Sequence, residues 1–308
     1  MQWWIRPLVR FIAAILLPFA VPAVITAALW ALPGDPAEII CPVETCGQEG
    51  QDALAKHWGI DQGATVFYST WVKKAFTLDF GNSWSTYTGI PVLELLGEAL
   101  PVTAMLVFLA LVPLILGGVL AAMGWLPKRL DPVWQVVGLI PAVIMALVFA
   151  AVIQIQYGAE STEWWPTTLS IMLGALVLGV ADGALAGSIA GTRSTFEEEV
   201  KQRYIQIAIL RGETTLSNAV PNVLPALVGQ FRGRTLHILS GAVIVEVVLG
   251  VPGLGGLLWQ GTLDQDFAIV LAAAWAYSIL SGAFLLIQAL FEIFVALHVH
   301  RHPKMVLT

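Results

Sequence analysis

Few residues in this chain have types and spacings suited to chemistry, and they form no known catalytic arrangement. The sequence contains neither a glycine-rich phosphate-binding loop nor a His-Glu-x-x-His zinc motif, and it lacks the Gly-x-Ser-x-Gly nucleophile turn. Three alternating histidines, His298, His300 and His302, lie near the C-terminus. Such a cluster is more often a solvated basic tail than a metal site. We therefore predict no catalytic residue and no metal ligand, and favour a non-enzymatic protein.

Carboxylates inside apolar stretches are more informative, because ionisable groups are costly within a bilayer and usually have a function there. Asp182 has no basic partner nearby in its own predicted helix. It either lines a polar pathway or forms a hydrogen bond between helices, and the sequence supports the two alternatives equally. Glu246 lies near the outer end of an apolar stretch, where it can reach water. Glu292 lies near the inner end of another, within reach of Arg301 or a neighbouring subunit.

The two cysteines, Cys41 and Cys46, lie close together in a polar stretch without a histidine or a second cysteine pair beside them. This argues against zinc, which needs four such ligands in a structural site. If the stretch faces an oxidising compartment, a short disulfide loop is favoured over two free thiols.

Composition indicates that a bilayer surrounds much of the chain. The 308 residues are 57% hydrophobic and 12% charged, whereas a soluble domain usually carries about 25% charged residues. No basic tract suited to nucleic acid is present. A membrane-spanning helix needs about 20 apolar residues, so we predict an all-α integral membrane protein with six transmembrane helices. The predicted spans are 11–32, 101–124, 133–156, 167–190, 235–250 and 267–297.

Basic residues give the orientation, because they accumulate in cytoplasmic loops. Twelve of the fifteen lysines and arginines fall on the side of the two termini, which we therefore place in the cytoplasm. The predicted organisation has four parts. These are a tail with the first helix (1–32), a long external segment (33–100), a core of five helices with a cytoplasmic loop at 192–225 (101–297), and a cytoplasmic tail (298–308).

Four glycines recur at intervals of four residues in the fourth predicted span: Gly179, Gly183, Gly187 and Gly191. On one continuous helix this spacing places small residues on one face, where a neighbouring backbone can approach closely. We predict a helix-packing face, with chance recurrence in a glycine-rich protein as the alternative.

The loop at 192–225 contains a predicted short amphipathic helix. Tyr204, Ile207 and Ala208 share a face at helical spacing. The acidic run 197–199 lies where it would favour the start of that helix, and Gly212 is placed to end it. An amphipathic helix outside the membrane needs lipid headgroups or a soluble partner to cover its apolar face.

Several motifs, taken in order, resemble one family along nearly the whole chain. They are Leu32-Pro33-Gly34-Asp35-Pro36, Asp79-Phe80-Gly81-Asn82-Ser83, Gly89-Ile90-Pro91-Val92, Leu100-Pro101-Val102-Thr103, Thr192-Arg193-Ser194, 204–212, Gly241-Ala242 with Glu246, Val251-Pro252-Gly253-Leu254-Gly255, and Asp266-Phe267. Each motif is weak alone, and the order makes them specific. By these motifs the chain is similar to the membrane-spanning permease subunits of peptide-type ATP-binding-cassette importers, the dipeptide, oligopeptide and nickel family.

The resemblance implies a permease in the bacterial cytoplasmic (inner) membrane, forming half of a pathway for peptides or similar small solutes. It implies a second permease subunit, two cytoplasmic ATPase subunits that hold Mg-ATP, and an external substrate-binding protein. This chain would bind no cofactor itself. Tyr204, Ala208, Arg211 and Gly212 match the family's ATPase-coupling segment.

The sequence departs from the family in that same segment. The family's pattern of small and basic residues before the glycine is replaced here by Ala208-Ile209-Leu210-Arg211-Gly212. An additional Pro221 is expected to break the helix that follows. The alternative to a working permease is therefore a permease-derived structural subunit of another assembly that no longer transports.

Overall fold

Long apolar stretches favour helices, because a helix satisfies its backbone polar groups internally where no water is available. The computed structural model describes residues 5–157 and 164–301. Within these ranges the chain consists of helices, turns and loops, with one isolated bridge between Asn82 and Pro91. The predicted all-α fold is confirmed.

Thirteen α-helices occur within the described ranges. They are α1 Ile5–Ala31, α2 Pro36–Ile40, α3 Val43–Trp58, α4 Ala64–Phe76, α5 Val92–Ala122, α6 Asp131–Gly138, α7 Ala142–Tyr157, α8 Trp164–Val180, α9 Ala184–Val200, α10 Arg203–Leu210, α11 Thr215–Leu249, α12 Leu254–Leu263 and α13 Phe267–Arg301.

Three of these helices, α1, α5 and α13, are each long and apolar enough to cross a membrane. Three further spans arise only as bent pairs. The bends are 78° between α6 and α7, 43° between α8 and α9, and 67° between α11 and α12. Counting each pair as one span, the described residues supply up to six, in agreement with the prediction.

The bounds of the spans differ from the predicted ones. The second span begins at Val92 rather than at residue 101, because Val92, Leu96 and Ala99 are buried in the core beside it and extend the helix beyond its most apolar part. The third and fourth predicted spans are each broken in two. The fifth begins at Thr215 rather than at residue 235.

Pro221 does not break the helix, contrary to the expectation from sequence. Both Pro221 and Pro225 lie inside α11. Each removes one backbone donor, but Ala219 and Val223 on the same stretch are almost completely buried against Phe196 and Ile205. Neighbouring helices commonly allow proline within a membrane helix, and here packing outweighs the lost hydrogen bonds.

The chain divides into two compact units. The first comprises residues 1–13, 105–250 and 283–308, of which 5–13, 105–157, 164–250 and 283–301 are described. In it α11 packs against α7, α8 and α9, and α10 packs against α9 and α11.

The second unit comprises residues 14–104 and 251–282. Its core is aromatic, with Phe67, Trp71 and Phe80 buried and the ring of Trp275 within 5.3 Å of the Phe80 ring centroid. The unit contains the segment predicted to be external together with α12.

A buried carboxylate links two parts of the second unit. Asp266 is fully buried and precedes α13. Its Oδ2 accepts hydrogen bonds from Ser83 Oγ at 2.5 Å and from the backbone N–H groups of Trp84, Ser85 and Thr86 at 3.1, 3.2 and 3.3 Å. The carboxylate thus fixes the loop after Phe80 to the start of α13.

Candidate functional site

Helix α10 lies between α9 and α11 and outside the candidate spans. Its inner face is formed by Ile205, which is fully buried, and by Ala208, which is 6% exposed. Ile205 joins a cluster with Phe196 of α9 and with Ala219 of α11. The short helix predicted from the sequence is present. Its buried apolar residues pack it against the neighbouring helices of the first unit.

The outer face of α10 is also apolar. Ile207 is 46% exposed and Leu210 is 86% exposed. Tyr204, Ile207 and Ala208 lie at helical spacing in α10, as predicted, but Ile207 lies at the exposed edge of that face, while Ile205 takes the inner position. Two faces of α10 therefore carry apolar side chains, one buried in the chain and one presented outward.

Tyr204 is fixed by polar contacts at the inner side of α10. Its hydroxyl donates a hydrogen bond to the Glu199 carboxylate and accepts one from Asn222 Nδ2 at 2.6 Å. Burial and the bond to Glu199 raise the pKa of Tyr204 to about 12. Tyr204 thus joins α9, α10 and α11.

The acidic residues 197–199 do not begin the amphipathic helix, as the sequence suggested. They lie in the last turn of α9, which ends at Val200. Helix α9 includes these acidic residues, because the helical pattern continues over residues 184–200. The N-cap of α10 is Gln202. Their role is therefore local, through Glu199 to Tyr204 and through Glu197 to Lys128 at 2.6 Å.

Gly212 closes α10 as predicted. It has a φ of +82°, and the backbone N–H groups of Gly212 and Glu213 donate to the carbonyls of Ile209 and Ala208 at 2.9 and 3.0 Å. This pair of bonds is the Schellman arrangement, in which glycine is the usual left-handed residue. Arg211, just before it, is exposed.

Asp182 lies at the break between α8 and α9, with a φ of +51°. Its Oδ1 accepts a hydrogen bond from Ala142 N at 3.2 Å, and its own N–H donates to Ile140 O at 3.2 Å. Its Oδ2 lies 3.7 Å from His237 Nε2. Asp182 therefore joins the break in one bent span to the break in another, while its side chain stays 38% exposed.

The four recurring glycines do not share one face, because the helix that would carry them is broken at Gly183, whose φ is +70°. A Cβ atom at Gly179 would lie 2.5 Å from Pro113 Cγ of α5. One at Gly187 would lie 1.8 Å from Arg234 Nη2, and one at Gly191 would lie 2.6 Å from Gln230 Oε1. Gly179 thus faces α5, whereas Gly187 and Gly191 face α11.

A polar cleft of about 500 Å³ lies between α9 and α11. Polar side chains line much of the cleft. Several glycines, which have no side chains, leave its interior open. The polar residues are Asp182, Ser188, Thr192, Gln230, Arg234 and His237. The residues of α11 among them recur at intervals of four and three, so one helix face presents them together. The sequence singled out Asp182 but not its neighbours from α11.

Glu246 and Glu292 differ from their predicted surroundings. Glu246 was expected to reach water, but it is fully buried, because it lies on the inner side of α11 near Val245 and Leu249. Glu292 pairs with Arg10 of α1 and lies 3.5 Å from Arg232 of α11. Among the described side chains, these two arginines therefore pair with Glu292, and the predicted contact with Arg301 falls on a side chain that the structure does not describe.

Arg193 has a partner that sequence reasoning missed. Its guanidinium pairs with Asp131 at the start of α6 and donates to Leu126 O at 2.8 Å. Its side chain is only 11% exposed. Arg193 thus fixes the turn before α6 to α9. The residue lies in the Thr192-Arg193-Ser194 motif, but nothing in the sequence pointed to Asp131.

The cysteine prediction falls partly outside the described residues. Cys41 is 2% exposed and is disulfide-bonded. The side chain of Cys46 is not among those that the structure describes, so the pairing of Cys41 with Cys46 stays a prediction.

Known proteins are similar to this chain along most of its length. A family model described as the inner membrane component of binding-protein-dependent transport systems matches residues 114–298. A putative peptide transport system permease protein of Brucella suis is 27% identical over 261 residues, covering 78% of this chain and 81% of the relative. An oligopeptide transport system permease protein of Bacillus subtilis is 28% identical, covering 79% and 82%.

A glutathione transport system permease protein of Salmonella paratyphi A is 26% identical over 276 residues, covering 86% of this chain and 88% of the relative. The family match covers more than half of the chain and includes α6 to α12, with the broken spans, α10 and the polar cleft. The chain belongs to the family of inner membrane components of binding-protein-dependent transport systems.

Proposed function

We propose that this chain is one of two permease subunits of an ATP-driven peptide importer, and that α10 couples it to an ATPase. Mg-ATP would be held by two cytoplasmic ATPase subunits, and this chain would bind no cofactor. An external binding protein would deliver the substrate. Peptide cargo is proposed because relatives from Brucella suis and Bacillus subtilis are named for peptide or oligopeptide transport.

The outward face of α10 is the observation that carries this proposal. Leu210 is 86% exposed and Ile207 is 46% exposed, while Ile205 and Ala208 hold the same helix to the chain. A short helix outside the spans with apolar residues on both sides fits a helix that is seated in the groove of a soluble partner. Exposed Arg203 and Arg211 flank this face and would add charged contacts at its edge.

This assignment divides the four residues that the family resemblance selected. Tyr204 and Ala208 would position α10, since they contact the chain itself. Gly212 would set the turn after it. Arg211, together with Leu210 and Ile207, would touch the ATPase. Of the four residues selected from the sequence, the proposal therefore keeps only Arg211 in contact with the ATPase and adds Ile207 and Leu210.

The orientation follows from charge. With α10 in the cytoplasm, both termini would lie there too, because the predicted topology places most of the basic residues on that side. The unit that contains residues 33–100 would then face the external binding protein.

The polar cleft between α9 and α11 is the proposed part of the transport pathway. Arg234 and His237 lie on α11 of one candidate span, and Asp182 lies at the break in another. Such ionisable groups usually face water or a protein partner rather than lipid. A second permease subunit placed over this cleft would enclose a polar passage. Glu246 is buried and would have a structural role instead of lining this pathway.

Co-purification tests the coupling proposal. The chain is purified in mild detergent from its native host, and the bound ATPase is quantified by mass spectrometry. Leu210→Asp should reduce the recovered ATPase by at least about tenfold, since an apolar contact would become a buried charge. Leu263→Asp is the matched control, because Leu263 is also exposed, at 63%, but lies in α12 of the other unit.

Recovery of the ATPase with both variants would reject α10 as the contact. Recovery of no ATPase even with the unaltered chain, alongside other membrane subunits, would favour a permease-derived structural protein.

A further inference from the structure

Arg234 brings a positive charge without a carboxylate partner to the polar cleft. The residue lies on α11, in one of the bent candidate spans, and lines the cleft. Among the described residues its guanidinium makes one hydrogen bond, in which Nη1 donates to Gly183 O at 3.4 Å, and it makes no ion pair. Arg234 is partly buried, so water does not surround the charge on all sides.

The other arginines of α9 and α11 are neutralised within the chain. Arg193 pairs with Asp131, and Arg232 lies 3.5 Å from Glu292. Charged side chains in membrane spans usually pair with one another or with backbone carbonyls, because the removal of a charge from water is costly. Arg234 departs from this pattern, since a single long bond to a carbonyl leaves its charge largely uncompensated. The cleft therefore offers a cation to an anionic ligand.

The guanidinium of Arg234 is seated against the backbone of α9. A Cβ atom at Gly187 would lie 1.8 Å from Arg234 Nη2 and 2.6 Å from its Cζ, so glycine leaves room for the group at this position. Gly183 O holds Nη1 one turn earlier in the chain. A guanidinium presents several N–H donors in a planar fork. The donors that are not used here suit a carboxylate, which such a fork binds through two parallel hydrogen bonds.

Asp182, the carboxylate that lines the cleft, is held by other groups. Its Oδ1 accepts a hydrogen bond from Ala142 N at 3.2 Å, and its Oδ2 lies 3.7 Å from His237 Nε2. His237 follows Arg234 by three residues, so both lie on one face of α11. An anion that binds Arg234 therefore does not have to displace Asp182.

The size of the cleft suits a short peptide. Its volume of about 500 Å³ falls within the range of small-molecule sites, about 300–1,000 Å³. The C-terminal carboxylate is the anionic group that all unmodified linear peptides carry, whatever their side chains. A cation that binds this group would therefore accept cargo of varied sequence.

We propose that Arg234 determines specificity in the proposed pathway by binding the C-terminal carboxylate of peptide cargo. Gly187 positions the guanidinium that donates the hydrogen bonds. The inference rests on the proposed function, and it adds the requirement that the cargo has a free carboxylate.

Uptake of two peptides that differ only in this group tests the inference. Trialanine and its C-terminal amide are supplied to proteoliposomes that contain the whole reconstituted complex with ATP, and the ratio of acid uptake to amide uptake is measured. Arg234→Gln should lower this ratio about tenfold, because a charge-assisted pair is lost. Any preference of the external binding protein is common to all the chains compared, so it cancels.

Arg232→Gln is the matched control, because it removes the same charge from the same helix at a residue that pairs with Glu292 and does not line the cleft. It should leave the ratio unchanged even where it lowers the uptake of both peptides. Gly187→Ala keeps every charge but displaces the guanidinium of Arg234, so it should also lower the ratio. This second variant tests the inference even if the complex with Arg234→Gln fails to assemble.

An unchanged ratio in Arg234→Gln or in Gly187→Ala, with both peptides taken up by the parent complex, would overturn the inference and leave the proposed function standing. Equal falls in Arg234→Gln and Arg232→Gln would also overturn it, because they would show a general effect of charge on α11. A parent complex that takes up neither peptide would reject the proposed function, and the inference with it.

Discussion

Asp182 Oδ1 lies 3.2 Å from the backbone nitrogen of Ala142, and this contact joins the breaks in two bent membrane spans. The breaks are close enough that a Cβ atom at Gly138 would lie 2.9 Å from Gly183 Cα. At a break, backbone groups lose their helical partners and must be satisfied elsewhere. Asp182 satisfies them with its carboxylate and its N–H, while the other carboxylate oxygen remains near His237 at the polar cleft.

The first prediction concerns Asp182. Asp182→Ala should lower the free energy of unfolding by about 1–2 kcal/mol, because Ala142 N–H loses its acceptor. Asp182→Asn should retain most of the stability, since asparagine keeps an acceptor oxygen and tolerates the left-handed conformation. Thermal unfolding in detergent, followed by tryptophan fluorescence, measures both variants. An equal loss of stability in both variants would show that the negative charge of Asp182 matters more than its acceptor oxygen.

The second prediction compares two glycines that the sequence treated alike, Gly179 and Gly187, with Gly229 of α11. Gly179→Ala should destabilise the chain by about 1–3 kcal/mol through overpacking, because its Cβ would also lie 2.8 Å from the backbone oxygen of Ala110. Gly187→Ala should cost less, since its obstacle is the flexible end of Arg234. Gly229→Ala, with no atom within 4 Å of its Cβ, should be neutral or stabilising in the helix. The order of the three melting temperatures checks this.

The third prediction concerns the buried carboxylate of the other unit. Asp266→Ala should destabilise that unit by at least about 3 kcal/mol, because Ser83 and three backbone N–H groups lose a charged acceptor. Asp264→Ala is the control, as Asp264 is exposed. Limited proteolysis of the segment 33–100 measures the effect. Cleavage of the Asp266 variant at the rate of the control would contradict it.

The fourth prediction concerns pH. The pKa of Tyr204 rises from 10 to about 12 in the folded chain, so the folded state favours the neutral phenol. Its contribution to stability is complete below pH 10 and is lost as the pH rises towards 12. The absorbance at 295 nm of the parent minus that of Tyr204→Phe should titrate near pH 12. A midpoint near pH 10 would show that Tyr204 is neither buried nor held by Glu199 as described.

Much of the fold was predictable from sequence because bilayer crossing demands long apolar stretches, and all six predicted spans overlap helices. The breaks within the third and fourth of them were not predictable. At Gly183 the glycine spacing suggested one continuous packing face, and only the contact of Asp182 with another span shows why the helix stops there. Pro221 led to the opposite error. It predicted a break in a helix, but tertiary packing keeps α11 helical there.

The short helix α10 was predicted from the sequence, but the side of it that packs inward was not. Period alone placed Tyr204, Ile207 and Ala208 together, yet α10 is apolar on two sides. Which side faces inward depends on Phe196 and Val223, which belong to other helices. The same limit applies to Arg193 and Asp131, whose pairing joins residues far apart in the chain.

ATP-driven uptake of a labelled peptide into proteoliposomes, with the ATPases and binding protein reconstituted, tests the central claim most directly. That claim is that the outward face of α10 transmits the action of an ATPase to the spans. Leu210→Asp should reduce uptake at least about tenfold, while Leu210→Met, which keeps the apolar surface, should preserve it. Undiminished uptake by the Leu210→Asp complex would contradict the account.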